Sequence, residues 1–325
     1  MSWLTWYKYR KQITITWQAN AGTNYQVKLI VWESSGSSGA NFNVNWHSLS
    51  FPSAKNISWD LRFTASDWVT LQNFWVESVS WTTPNRIATI WIKISTDLWT
   101  NQNIYCYYNW DATNISNWNN TFLFFDDFDW TSIDTTKWTI NNWSVTSYTN
   151  SEISWWTTGL YAVTSWKYTV NVGTNLWVAW RCEIRRDSNN TDTAFRFIKT
   201  SSDVIQMWNT TYQSQWVYNY WAGIYNLSQI SLWNNAAWDY IYDLKLNWTT
   251  LNWAQSSWLS GSRTLSSSIQ NTTFYYGIVW WWTAYPGDWI NFIAIRNYLI
   301  NEPIFNSINI EEIAPTNNSN FFIFF

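Results

Sequence analysis

The chain has 325 residues, a formal net charge of −3 and only 12% charged residues, a length that favours two domains and a charge too sparse for a basic stripe along a nucleic-acid backbone. No run of 18 or more apolar residues offers a membrane span, and the opening MSWLTWYKYRKQ lacks the charged-then-apolar order of a secretory signal. Nucleic acid and membrane insertion are therefore excluded as expected partners.

Period-two alternation of apolar and polar residues runs through the chain, and no window of helical length carries an apolar stripe with caps, so the expected class is all-β. In chain order the first strand candidates are 13–16, 25–31, 61–64, 87–94 and 103–108. The second group is 122–128, 167–172, 178–186, 194–199, 240–247, 274–279 and 290–299. Short strands at this spacing, broken by Ser/Asn/Asp/Gly linkers, predict two antiparallel β-sandwich, jelly-roll-like domains in tandem. An Asn-rich stretch at 117–121 interrupts the alternation, and the pattern loosens after Asn301-Glu302-Pro303. The expected division is 1–120, 121–312, and a tail or truncated linker at 313–325.

Composition is anomalous in one respect: 33 Trp stand beside 9 Gly, where soluble proteins carry about 7% Gly. Many of the tryptophans fall where a chain must reverse, as in Asp67-Trp68, Asn109-Trp110-Asp111, Asn117-Trp118-Asn119 and Asp129-Trp130. These are slots for Asn-Gly and Asp-Gly turns, whose positive φ is costly for any residue with a bulky side chain. One uniform cause explains them all, namely a UGA codon that some uncultivated bacteria and their phages read as Gly and that was rendered here as Trp. On this reading Trp68, Trp110, Trp118 and Trp130 project into solvent from bends. Trp75, Trp91 and Trp138 sit in or beside alternating strands and are expected in the core.

Read with glycine at Trp6 and Trp110, the blocks WYKYRKQITIT, AGTNYQVKL, NFWVES, ATIWIKI and TNQNIYCYYNWDA closely resemble the domain of unknown function 2341 family, over about residues 1–120. Tyr7 departs from the family, which often has Trp there. The resemblance implies a β-rich module of surface proteins, bacterial, archaeal or phage, and implies no chemistry. The segment FLFFDDFDWTSIDTTKW, through Asp126, Asp127, Phe128, Asp129, Ile133, Asp134 and Trp138, resembles the opening strand of concanavalin A-like lectin and glucanase (laminin G-like) domains. That resemblance implies two curved antiparallel sheets, with saccharide held on the concave face or its rim.

Hydrolytic chemistry finds little support in the residues. Glucanases of that fold carry an E-x-D-x-x-E strand, absent here. The nearest same-face acids, Asp239 with Asp243 and Glu183 with Asp187, lie about 13 Å apart at about 3.3 Å per residue. Retaining pairs need about 5–5.5 Å and inverting pairs about 6.5–9.5 Å. Arg181, Glu183 and Arg185 read as a same-face ion-pair row. His47 is the single histidine, placed in a turn, and with Cys106 and Cys182 in different domains there is no ordinary zinc set, so buried thiols are expected. No catalytic residues are assigned and the chain is expected to be no enzyme.

No cofactor is expected. A structural calcium ion is the one alternative, since lectin-like sandwiches often tie first and last strands through such an ion. Its ligands would be Asp126, Asp127 and, where the resembling family has Asp, Asn291; the acids serve equally as turn caps. For carbohydrate the candidates are two same-face tyrosine pairs, Tyr218 with Tyr220 and Tyr240 with Tyr242, whose alternative role is half-buried sheet packing. The leading expectation is a non-catalytic adhesion or carbohydrate-binding module, extracellular, on a cell surface or virion, meeting glycan or cell-surface polysaccharide through multivalent assembly. A purely structural envelope or phage-tail spacer comes second, and a glycoside hydrolase third.

Overall fold

The computed structural model describes residues 3–34, 41–44, 61–82, 84–109, 117–127, 134–141 and 288–315, and the strands named below between 141 and 288. From 138 to 291 the description is of the backbone, with few side chains such as those of Asp243 and Lys245. The chain folds almost wholly as β-strands in sandwich-like pairs of sheets, as the alternation predicted. It divides into two units, Met1–Phe122 with Leu299–Phe325, and Leu123–Tyr298.

The first unit contains β1 (Tyr9–Ile15), β2 (Tyr25–Trp32), β3 (Asn41–Asn43), β4 (Arg62–Thr64), β5 (Asn73–Ser80), β6 (Ile87–Ile94), β7 (Gln102–Tyr108) and the four-residue helix α1 (Trp118–Thr121). One sheet runs β1-β7-β4 and the other β3-β2-β6-β5. Among the described strands only β2 with β3 is parallel; β2 and β6 pair antiparallel without a break from Tyr25↔Ile94 to Trp32↔Ile87. Alternate residues of each strand face inward: Ile13 and Ile15 on β1, Leu29 and Val31 on β2, Ile90 and Ile92 on β6, all buried. Phe63 on β4 meets Phe74 on β5 edge-to-face at 5.2 Å, and Phe42 on β3 meets Tyr108 on β7 at 5.9 Å, so rings from opposite sheets interlock in the core.

The expected boundary at 312 is corrected. The strand Phe305–Ile308 pairs with β1 through Ile13↔Ile308 and Thr14↔Ser307, and Glu312–Ile313 pairs with it through Tyr9↔Ile313 and Arg10↔Glu312. The return strands cover the edge of β1 that would otherwise leave a row of backbone groups open to another chain. In sequence, the second unit is thus an insertion in the first. Arg10 fastens the return: it is buried, donates to the Tyr107 hydroxyl at 2.9 Å and to Glu312 at 2.8 and 2.6 Å, and lies 4.3 Å from the Trp3 ring and 4.7 Å from that of Tyr105.

The tryptophan expectations divide. Trp75 and Trp91 are 1% and 2% exposed, in the core as expected, and the Trp91 indole N–H donates to Glu77 at 2.7 Å. Trp68 does sit at a bend with φ of +63°, but its ring is half-buried against Tyr105, centroids 6.1 Å apart, which corrects the expectation of a solvent-facing indole. Trp118 is corrected also: it opens α1, whose Asn117 cap accepts from the Asn120 N–H, and it is half-buried. Trp6 and Trp81, not singled out from sequence, have φ of +79° and +66° and are 68% and 76% exposed. Among the described residues, those with side chains at positive φ are these three tryptophans and three asparagines. Trp110, Trp130 and His47 lie outside the described residues, as does the side chain of Trp138.

The second unit is built from two eight-stranded antiparallel sheets. One runs Val145–Thr149, Glu152–Trp155, Asp288–Tyr298, Trp177–Arg186, Asp239–Leu246, Thr250–Gln255, Ser260–Thr264, with β8 (Phe124–Asp126) against Asp288–Tyr298. The other runs Ile224–Ser231, Ser214–Trp221, Val204–Asn209, Asp192–Ile198, Thr273–Trp281, Gly159–Ala162, Trp138–Asn141, with Tyr168–Thr169 against Thr273–Trp281. Among the described residues no helix is long and apolar enough to cross a membrane.

Candidate functional site

Register decides which residues of a sheet share a face, because directly paired residues lie on the same side and neighbouring rows on opposite sides. In the second sheet of unit two, one row reads Val217, Met207, Phe195, Ile278, Leu160, Ile140 across six strands. That row is apolar on all six of these strands. The next row reads Leu227, Tyr218, Gln206, Arg196, Gly277, Tyr161, and two residues along on that same face come Tyr225, Tyr220, Val204, Ile198, Tyr275. The opposite face thus collects tyrosines, an amide and a guanidinium on neighbouring strands. Tyr218 and Tyr220 are among them, as the alternation predicted. Arg196, Gln206 and Tyr225 were not singled out from sequence, because only the pairing of strands separated in the chain brings them to the same place.

Tyr240 and Tyr242 lie on the other sheet. There Tyr242 pairs with Cys182, which pairs in turn with the fully buried Ile293, and Tyr240 pairs with Ile184. The two tyrosine pairs thus belong to different sheets, and the second shares its rows with apolar residues. On the alternate rows Asp243 stands directly opposite Arg181, and Asp239 opposite Arg185. Asp239 and Asp243 are thus each matched in register to an arginine of the neighbouring strand.

Asp126, on β8, is fully buried, opposite Ile293, with the Lys137 ammonium 3.9 Å from its Oδ1. Asp127 is half-buried beside it. Asn291 falls at a bulge where Ile184 pairs with Ile290 and Glu183 with Phe292, two residues from the partner of Asp126, so the backbone does bring these positions together. Its side chain lies outside the described residues. Among the described residues no three His, Cys, Asp or Glu side chains converge, and the Lys137 ammonium supplies a positive charge beside Asp126. Asp134 caps a turn: its Oδ1 accepts from the Thr136 N–H at 2.9 Å and from the Thr136 hydroxyl. Burial pushes its carboxyl up, but the Thr136 bonds and the nearby Lys137 outweigh this and hold it below the usual carboxylate range.

Residues 58–141 match the family described as Domain of unknown function (DUF2341). The match spans roughly a quarter of the chain and runs from the first unit across residue 122 into the second. Nothing among curated proteins matches the chain. Solved structures similar to it include the endo-β-1,3-glucanase of Pyrococcus furiosus (8% identity, TM-score 0.45, covering 55% of this chain and 95% of that one). The β-glucanase of Bacillus licheniformis aligns at 12% identity with a TM-score of 0.40, covering 55% and 98%. The CBM2 module of the evolved Dit of Lactobacillus casei BL23 phage J-1 aligns at 11% identity with a TM-score of 0.37, covering 54% and 96%. At these identities the likeness is one of fold.

Cys106 is buried, as expected. Cys182 lies on a described strand, its side chain outside the described residues.

Proposed function

We propose that the second unit is a non-catalytic carbohydrate-binding module, carried on a cell surface or virion by the first unit. The observation that supports this reading is the contrast between two neighbouring rows in the sheet that contains Ser214–Trp221: one reads apolar across six strands, while the next sets Tyr218, Gln206 and Arg196 side by side, with Tyr220 and Tyr225 two residues along on the same face. Aromatic rings offer flat apolar surface to the C–H face of a pyranose, while amide and guanidinium groups bond its hydroxyls. Single sites of this kind bind weakly, and display in many copies raises the avidity. Hydrolysis would require two carboxylates at a defined separation, and Asp239 and Asp243 of the first sheet stand opposite Arg185 and Arg181 instead.

A glycan array with the intact chain tests the reading. Retention of at least one saccharide class is expected, reduced about tenfold by Tyr218→Ala or Tyr220→Ala, which corresponds to about 1.4 kcal/mol. An array with nothing above background would favour the ligand-free spacer, and release of sugar from a polysaccharide would favour the hydrolase.

We further propose that many of the tryptophans are glycine in the natural product. Support comes from Trp6, Trp68 and Trp81, which occupy the left-handed region that a residue with a β-carbon enters at a cost. Two of them also leave an indole in water. Peptide mass spectrometry on protein from the native source tests this, and indole at position 81 would refute it.

A further inference from the structure

Lys11 occupies a core position. It shares its face of β1 with Ile13 and Ile15, both wholly buried, and is itself buried. On one flank the register sets Cys106 of β7 directly opposite. On the other, Arg10 pairs with Glu312, so continuing the register by one residue brings Glu311 of the return segment beside Lys11. From the opposite sheet β3 brings Phe42 and Asn43: the Lys11 Nζ lies 2.8 Å from the Asn43 main-chain oxygen, 3.1 Å from its Oδ1 and 5.5 Å from the centre of the Phe42 ring. Glu311 accepts a hydrogen bond from the buried Tyr108 hydroxyl.

An ammonium in an apolar core is costly, and placing one where the alternation calls for an isoleucine calls for a physical reason. Burial lowers the affinity of Lys11 for its proton, against the opposing pull of Glu311 and Cys106. Once deprotonated, such an amine is a nucleophile. Its hydrogen-bond partner Oδ1 is bonded to the carboxamide carbon, and packing holds amine and amide together, replacing a bimolecular encounter with an intramolecular one. A carboxyl group stands on the flanking strand to move the proton.

We propose that Lys11 and Asn43 join in an intramolecular isopeptide bond that ties the two sheets of the first unit covalently. The Lys11 Nζ attacks the Asn43 Cγ, and Glu311 takes the proton that Nζ loses and delivers it to Nδ2. The Cγ–Nδ2 bond breaks, ammonia leaves, and the Nζ–Cγ amide remains. No atom changes oxidation state and no co-reactant is needed. Because Glu311 arrives with the C-terminal return, the bond closes only after the chain has come back to β1. The proposal is independent of whether the second unit binds sugar.

Intact-mass measurement of the purified chain, followed by proteolysis and tandem mass spectrometry, tests it. The expected mass is that of the sequence less one ammonia, with a branched peptide joining the segments around residues 11 and 43 and no tryptic cleavage at Lys11. The full sequence mass, or loss of ammonia mapped to any other asparagine, overturns the proposal. Lys11→Arg and Asn43→Gln should both return to the sequence mass of the variant. Glu311→Gln should leave most molecules unlinked while hydrogen exchange still reports a folded β1, and complete linkage in that variant would remove the role given to Glu311.

Discussion

Replacing Trp81 by glycine should stabilise the first unit by about 1 kcal/mol, an unusual sign for removing an aromatic side chain. Trp81 follows β5 at φ of +66°, with 76% of its surface exposed, so deleting the indole gives up almost no packing. A non-glycine residue in the left-handed region costs about 1–3 kcal/mol, and the extra freedom glycine gains in the unfolded chain returns about 0.5–1 kcal/mol of that. The remainder slows the global opening of the unit about fivefold. Native-state hydrogen exchange of β6, whose residues Ile87–Ala88 pair with Val79–Ser80 beside the bend, reads this directly. Trp68→Gly removes a similar backbone cost but also loses a half-buried ring against Tyr105, and should come out near zero. Trp75→Gly empties a core site and should cost at least about 3–5 kcal/mol. Exchange that is unchanged or faster in Trp81→Gly would refute the steric reasoning, whatever the other two variants do.

Arg10→Lys keeps a charge but loses the planar fork that reaches both Tyr107 and Glu312 and fits between the Trp3 and Tyr105 rings. It should cost about 2 kcal/mol, seen first as faster amide exchange in Phe305–Ile308; unaltered protection there would count against Arg10 as the fastening of the return. Asp67 accepts from the Thr70 hydroxyl and from the Val69 and Thr70 N–H groups, bonds that hold its carboxyl below the usual carboxylate range, the hydroxyl bond contributing most. Because its folded value is depressed, its contribution is present at neutral pH and lost as pH falls through that lowered value. Amides of the 65–70 bend should therefore lose protection on acidification, and Asp67→Asn should flatten the profile; an NMR titration placing Asp67 at or above the ordinary value would contradict this.

What was legible in the sequence was local. β1, β2, β6 and β7 announce themselves by alternation, and Trp75 and Trp91 could be assigned to the core because they stand in the strand-like runs NFWVES and ATIWIKI. The strands Val204–Asn209 and Ile224–Ser231 were missed, because Gln206, Asn209, Asn226 and Gln229 give those segments a linker's composition. β5 was not read as a strand since its register shifts between Val76 and Ser78, breaking the period of two. The return of Phe305–Ile308 to β1 was invisible for a different reason: its partner lies almost the whole chain away, and edge pairing through the backbone leaves little mark on side chains.

The same non-locality limits how far the glycine argument reaches into the proposed binding face. Trp208 and Trp216 stand directly opposite one another two residues along from Tyr218 and Gln206, hence on the same face. Extended backbone admits any side chain, so the steric reasoning that marks Trp6, Trp68 and Trp81 says nothing about this pair. If a single codon is responsible, they are glycines too, and the face is left to Tyr218, Tyr220, Tyr225, Gln206 and Arg196, none of which that codon touches. If they are tryptophans, they extend the same aromatic surface along the strands. Either way the tyrosines keep their register, so the carbohydrate reading does not depend on how the tryptophans are decoded, whereas the depth and affinity of the face do.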